Sequence, residues 1–197
     1  MSLTLVTRPT AYPVTLAEVK SRPRIEHDDD DADLVSFIAA ATDYVENYTG
    51  RDLMQRTWAY SFDKIPAGDI ALPKFPVLSV SSLVYTDVDT SPNLNTLATS
   101  FYGLDSGGHT AILYLKYDQS WPSYTAVHNG ITVTFISGYE GLGSPQDLRG
   151  NIPDTIKTAI MFIAGDLYER REQQLDFQVY DNQTANRLLS IHRLMRL

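Results

Sequence analysis

The chain has 197 residues, enough to bury a core without disulfides or a structural metal, and its 43% hydrophobic content excludes a disordered or collagen-like chain. The absence of cysteine excludes a disulfide framework, a thiolate metal site and a cysteine nucleophile. A net charge of −8 disfavours binding to nucleic acid or anionic lipid through bulk electrostatics.

The N-terminal part of the chain predicts two helices. Thr15 and Glu18 have the spacing of a capping box, which indicates the start of a short helix. The acidic run 28–33 favours a second helix, because carboxylates stabilise a helix N-terminus. Apolar residues then follow at helical spacing until Gly50, so we predict a helix over residues 31–49.

From residue 57 to residue 137 the sequence changes to short runs of β-branched and aromatic residues, separated by proline, glycine and asparagine. Such runs are typical of β-strands, and several alternate with the two-residue period of a half-buried strand. Two polar stretches, 87–100 and 119–130, are predicted to be loops. The predicted strands are Trp58–Phe62, Ile70–Leu72, Val77–Thr86, Thr110–Leu115 and Ile131–Ser137.

Helical spacing returns in the C-terminal part of the chain. Pro153 is favourable in the first turn of a helix, and the helix that follows is predicted to end near Glu172. Its apolar residues between Ile156 and Tyr168 cover most faces, so we expect this helix to be buried on more than one side. A short final helix containing Leu188 and Leu189 is also predicted.

These elements predict an α+β fold in which N- and C-terminal helices form a small helical bundle with an inserted β-rich domain. The predicted boundaries are 1–54 for the N-terminal helical part, 55–150 for the β-rich insertion and 151–197 for the C-terminal helical part. The longest apolar run, 159–165, is far shorter than the roughly 20 residues that span a bilayer. We therefore expect no membrane segment.

The acidic run invites a calcium-binding interpretation, because Asp29, Asp31 and Asp33 alternate as in an EF-hand loop. The template fails at Leu34, where the loop requires glycine, and at Ala40, where it requires glutamate. A helix-capping and solvated acidic face therefore explains the run better. We expect neither a metal nor a cofactor.

The segment Asp105–Gly108 resembles the nucleophile segment of chymotrypsin-like proteases. A catalytic triad also needs a histidine oriented by a carboxylate, and the single upstream histidine, His27, lies in the acidic run. We therefore predict a glycine-rich turn between strands at this position. The sequence contains no nucleophile elbow, phosphate-binding loop, dinucleotide fingerprint or zinc-protease motif, and we predict no catalytic residue.

Aromatic side chains are frequent in the β-rich part and include both tryptophans, Trp58 and Trp121. They could form a sugar-binding platform, so a carbohydrate- or receptor-binding β-module is the alternative function. The simpler interpretation is that these side chains fill the core of a small β-domain. Buried tryptophans would favour that second interpretation.

A series of segments in this chain occurs in an order known from other proteins. The segments are Pro13–Lys20, Arg24–Asp30, Leu34–Arg51, Gln55–Trp58, Ile70–Pro73, Pro76–Tyr85, Ile131–Tyr139, Ile152–Lys157 and Tyr168–Glu172. Together they resemble the phage head-tail connector proteins, the adaptor or head completion proteins of long-tailed phages and gene transfer agents. The resemblance covers most of the chain, from about Pro13 to Leu189, and the chain departs from the family pattern at Ser190–Leu194.

The resemblance implies a structural virion protein without catalytic activity. Such proteins assemble as a ring, usually twelvefold, beneath the portal at the capsid vertex, and DNA passes through the ring without specific binding. The implied partners are further copies of the chain, the portal protein and a tail-side connector or stopper protein, with no membrane partner. The implied location is the neck of the virion, after synthesis in the host cytoplasm.

Two groups of residues are candidates for roles in such an assembly. The first group consists of acids that we expect to face the channel, because like charge lets DNA pass without the cation contacts that hold phosphates. The second group is in the C-terminal part, which either orders against the portal or packs on its own bundle. The channel candidates are Asp28, Asp29, Asp30 and Asp31, and the subunit or portal candidates are Arg170, Arg171, Arg187, Leu188, Leu189, Arg193 and Arg196.

Overall fold

A computed structural model describes residues 1–66, 68–87, 93–141, 147, 149–169 and 183–194. The chain divides into two compact units, residues 1–9 with 55–139 and residues 10–54 with 140–197. The first consists of β-strands and is called the β unit, and the second contains the helices and is called the helical unit. The prediction of an α+β fold is therefore confirmed.

The β unit contains two antiparallel sheets. Its strands are β1 (Ser2–Thr7), β2 (Arg56–Phe62), β3 (Ile70–Leu72), β4 (Val77–Thr86), β5 (Leu94–Thr96), β6 (Tyr102–Asp105), β7 (Ala111–Leu115) and β8 (Ile131–Ser137). The five-stranded sheet has the order β1–β2–β8–β4–β5, and the three-stranded sheet has the order β3–β7–β6. Both sheets contribute to one hydrophobic core. In the central strand β8, buried and half-buried residues alternate with the two-residue period expected of a strand.

The β unit resumes at Gln55, the predicted start of the insertion, but it differs from the predicted insertion at the first residues of the chain and at its C-terminal end. The first residues belong to the β unit and not to the N-terminal helical part, because β1 pairs with β2 along its length. At the other boundary the β unit ends at Tyr139, and the chain from residue 140 onward joins the helices.

All five predicted strands are present, and three further strands occur that the sequence did not predict. β1 was missed although Leu3 and Leu5 alternate with polar residues. β5 lies inside the stretch 87–100, predicted above to be a loop, because three residues are too few to show a period. β6 contains glycine and aspartate, which are disfavoured in strands.

The glycine-rich turn predicted at Asp105–Gly108 joins β6 to β7. The backbone amide of Gly107 donates a hydrogen bond to the Asp105 carboxylate over 3.0 Å, which is the geometry of an Asx turn. The protease-like sequence at this position is therefore a structural turn.

The helical unit contains α1 (Leu16–Ser21), α2 (Asp31–Thr49), α3 (Asp154–Glu169) and α4 (Gln183–Ser190). The predicted capping box is present: the Glu18 amide donates to the Thr15 hydroxyl over 3.2 Å, and the Thr15 amide donates to the Glu18 carboxylate over 2.6 Å. The observed bounds of α2 are those predicted, and Gly50 ends the helix in the left-handed conformation with φ 71°. The predicted end of α3 near Glu172 lies outside the described residues.

α3 is the most enclosed helix of this unit. It contacts α1, α2 and α4. Ile156, Ala159, Ile160 and Ala164 are fully buried between these neighbours. The prediction that this helix is buried on more than one side is confirmed, and each buried isoleucine contributes about 1.5–3 kcal/mol through the hydrophobic effect.

Substitution by alanine is expected to have opposite effects on stability at two glycines of the helical unit, Gly50 and Gly165. Gly50→Ala should lower the free energy of unfolding by about 1–2 kcal/mol, because a Cβ strains the left-handed backbone although Leu194 leaves 3.6 Å of room. Gly165→Ala should raise it by about 0.5–1 kcal/mol, since alanine is the better residue inside a helix. Within the described structure, a Cβ at Gly165 would meet no atom within 4 Å. Urea denaturation followed by circular dichroism measures both, and shifts of the same sign would contradict the prediction.

Candidate functional site

Lys20, in the last turn of α1, binds two of the four candidate channel acids. Its Nζ lies 2.6 Å from Oδ1 of Asp28 and 2.7 Å from Oδ1 of Asp31. The Lys20 side chain is only 13% exposed, whereas that of Asp28 is 87% exposed. The hydrogen bond between them raises the pKa of Lys20, with Asp31 adding to the effect, and lowers the pKa of Asp28.

The other two candidate acids differ in their environment. Tyr168, near the end of α3, donates a hydrogen bond from its hydroxyl to Oδ2 of Asp30 over 2.8 Å. Asp29 has a 95% exposed side chain, and its carboxylate lies 4.0 Å from the ring of His27. The acidic run therefore divides into two residues that face solvent, Asp28 and Asp29, and two that hold the start of α2, Asp30 and Asp31.

Four of the C-terminal candidates, Arg187, Leu188, Leu189 and Arg193, lie on or just after α4, which packs on other helices of its own unit. Leu189 is fully buried, so it is a core residue and not an exposed contact residue. The Leu194 amide donates to the Thr49 carbonyl over 2.9 Å, and Arg51 donates from Nε to the His192 carbonyl over 2.8 Å. Residues 183–194 therefore pack on their own helical bundle, which was one of the two hypotheses for this segment.

His192 makes polar contacts that attach the segment after α4 to the rest of the helical unit. Its Nε2 lies 2.7 Å from the hydroxyl of Thr155 in α3. Burial lowers the pKa of His192, and the positive charge of Arg51 lowers it further, so the surroundings favour the neutral ring. The tautomer of the ring sets which partner donates in this hydrogen bond, and in either direction the bond ties the segment after α4 to α3.

The remaining C-terminal candidates have different degrees of exposure. Arg187 and Arg193 are exposed and Leu188 is half-buried. The guanidinium of Arg193 lies 5.3 Å from the centre of the Tyr48 ring. Arg187 also lines a shallow groove of ≈ 280 Å³ together with Gln183, Asn186 and Ser190. The candidates Arg170, Arg171 and Arg196 lie outside the described residues.

The two tryptophans of the β unit pack against its core. Trp58 and Trp121 are both partly buried beside the core cluster. The Lys74 ammonium lies 4.6 Å from the centre of the Trp58 ring. These positions favour the core interpretation of the aromatic residues over a sugar-binding platform.

The described part of the chain contains neither a metal-ligand cluster nor a membrane-spanning helix. There, no group of three or more histidine, aspartate or glutamate side chains is placed to hold a metal ion. No helix of that part combines the length and the hydropathy needed to cross a membrane.

The sequence did not indicate Lys20, Tyr168 or His192, the residues that hold the candidate channel acids and the C-terminal segment in place. Lys20 lies eight residues before Asp28, but α1 ends at Ser21, so no single helix or strand connects the two residues. Tyr168 and His192 act on partners 138 and 37 residues away, respectively. The single available signal was the placement of one basic residue in α1 just before an acidic run.

The comparison with protein families supports the resemblance described above. A family model described as phage gp6-like head-tail connector protein matches residues 13–100. The resemblance to head-tail connectors is confirmed. Among curated proteins, the chain is 37% identical over 49 residues to the head completion protein gp6 of Enterobacteria phage HK97. That match covers 25% of this chain and spans less than half, 45%, of the curated protein.

Solved structures share the fold of this chain over its whole length. A chain in the neck of an empty gene transfer agent particle, computed with C6 symmetry, matches with a TM-score of 0.77 at 18% identity. A chain in the virion of a native gene transfer agent particle matches with a TM-score of 0.76 at 19% identity, and one in a native neck computed with C12 symmetry with 0.73 at 20%. Each match covers 100% of this chain and 97% of the other. At these identities the similarity establishes a shared fold.

The ion pairs of Lys20 predict how stability depends on pH. Because the pKa of Asp28 is lowered from 3.8, its contribution is present above that value and is lost as the pH falls through the folded pKa. Because the pKa of Lys20 is raised from 10.5, its contribution is present below that value and is lost at higher pH. We therefore expect Lys20→Met to be less stable than the parent chain near neutral pH, and the difference to shrink in acid.

Urea midpoints at neutral pH and at about pH 3 or below measure this difference. Lys64→Met, which removes an exposed lysine of the β unit, is the matched control. A difference between parent and Lys20→Met that is the same at both pH values would contradict the prediction.

Proposed function

We propose that this chain is a head-tail connector, a structural protein in the neck of a phage or gene transfer agent particle. The observation that carries the proposal is the fold similarity to neck components, which covers 100% of this chain and 97% of the neck chain. The sequence match to the connector family model over residues 13–100 supports it independently. We infer a structural role and no catalytic one, because the relatives are described as connector and head completion proteins.

In this proposal, copies of the chain form a closed ring between the portal protein and a tail-side connector or stopper protein. A ring requires a heterologous contact whose rotation closes on itself. The similar necks were computed with C6 and C12 symmetry, which supports a cyclic, twelvefold arrangement. The ring surrounds the path of the DNA, which passes through it without specific binding.

We further propose that the acidic run 28–31 faces the DNA channel. The exposed carboxylates of Asp28 and Asp29 are available to do so, and Asp30 and Asp31 hold the helix start that presents them. Negative charges on the channel wall would repel the DNA phosphates, which bind proteins through lysine and arginine side chains. The net charge of −8 acts in the same direction.

The exposed side of α4 is our proposal for the portal contact. Arg187 projects from that side and Arg193 follows it, whereas buried Leu189 supports it from below. Arg170, Arg171 and Arg196 stay candidates from the sequence alone. An alternative carbohydrate-binding role is disfavoured by the packing of both tryptophans against the core.

Deleting the gene in a host that produces the particles tests the proposed function. Because the connector joins head to tail, we expect heads and tails to accumulate separately, and the intact gene supplied in trans to restore joined particles. Electron microscopy of the lysate measures the joined fraction, and antibody labelling locates the chain. Normal joined particles without the chain, or labelling away from the neck, would contradict the proposal.

Charge reversal at Asp29 tests the channel proposal. We expect Asp29→Lys to slow or reduce DNA release from assembled particles, because a ring of new cations would bind passing phosphates. The effect should weaken as salt is raised. Asp43→Lys is the matched control, since it makes the same charge change at an exposed site further along α2. Equal DNA release from the two variants would remove Asp29 from the channel wall.

A further inference from the structure

We propose that neighbouring copies of the chain join by pairing β1 of one copy with β5 of the next, which continues the five-stranded sheet across the subunit boundary. This inference rests on the proposed function, because it names the contact that links copies in the ring. It assigns the contact to the backbone of two edge strands of the β unit.

β1 is the first of these edges. Its outer side pairs with no strand of the described structure. Alternate residues of an edge strand turn their N–H and C=O groups away from the sheet, and proteins usually protect such edges with charge, proline or a bulge. The strand Ser2–Thr7 contains no charged residue and no proline. Its single register shift lies between Leu5 and Thr7, so residues 2–5 form a regular open edge.

β5 is the opposite edge of the same sheet. It also lacks charge and proline, and Leu94 is 75% exposed. The strand is anchored, because Nδ2 of the Asn95 side chain donates a hydrogen bond to Oδ2 of Asp87 over 2.8 Å. The Leu97 amide that follows donates to the Leu83 carbonyl over 2.8 Å. The outer side of β5 pairs with no strand of the described residues, so this anchored strand can pair with a strand of another copy.

The edges of the three-stranded sheet are different. β3 is three residues long and lies between Asp69 and Pro73, and β6 ends in Asp105. A charge or a proline at the end of a short strand discourages pairing with another chain. Arg8 and Pro9 likewise follow β1 directly, so the distinguishing feature of β1 is its length: residues 2–5 form a longer uncharged edge than β3 does.

The topology of that sheet suits a cyclic contact. All four neighbouring strand pairs are antiparallel. In a sheet of five strands, β1 and β5 therefore run in the same direction. A second copy, rotated about the axis of the ring, can place its β5 parallel to β1 of the first copy. The same rotation, repeated for each further copy, closes the ring. Pairing of β1 with β1 would instead invert the second copy and stop at a dimer.

Cysteine cross-linking tests the contact, because the chain contains no cysteine of its own. The double variant Thr4→Cys with Leu94→Cys places one thiol on each proposed edge, at two exposed positions. Particles containing this variant are treated with a short flexible bis-maleimide and denatured. We expect a ladder of covalent multimers above the dimer, because every copy is linked to two neighbours.

The matched control replaces the β1 position with Ser81→Cys, an exposed site on the interior strand β4, and keeps Leu94→Cys. We expect no ladder from this control, and none from either single variant. Circular dichroism of each purified chain checks that it is folded.

The outcomes separate this inference from the proposed function. Particles that contain the folded double variant at the neck but give no ladder overturn the strand pairing and leave the connector role intact. Abundant dimers from Thr4→Cys alone also overturn it, since they indicate pairing of β1 with β1. Absence of the parent chain from purified particles overturns the connector role and the strand pairing together.

Discussion

The pairing of β2 with β8 is the constraint on which the two-unit organisation depends. Arg56 lies opposite Ser137, so the chain enters and leaves the β unit at the same place. The Gln55 side chain donates to the Tyr139 carbonyl over 3.4 Å at this point. Helices from distant parts of the sequence can therefore form one unit, because the intervening strands close a loop whose ends already meet.

Because the ends of the β unit meet, helices from before and after it can pack around α3. Its buried residues need cover on several sides, and α1 and α2 supply it from one part of the sequence while α4 supplies it from another. Polar contacts fix the ends of this arrangement: Tyr168 to Asp30 at one end of α3, and Thr155 to His192 at the other. Residues considered for contacts in a virion thus divide between those that build the fold and those that face outward.

Local patterns predicted much of the fold, and long-range contacts account for what was missed. The bounds of α2 follow from an acidic start and a glycine stop, both of which act within one helical turn. The burial of α3 follows from its composition. The strands β5 and β6 are too short or too polar to show a period. Leu189 looked like a contact residue because a sequence does not show which side of a short helix its own bundle covers. The same limit hid Lys20, whose partners lie in another helix and the loop before it.

The distribution of the two tryptophans has a practical consequence. Trp58 and Trp121 both belong to the β unit, and the chain contains no third tryptophan. Indole fluorescence therefore reports on the β unit alone, while the helices dominate the far-ultraviolet signal. Each half of the polypeptide thus carries its own optical signal, and the order in which the halves fold can be followed without attaching a dye.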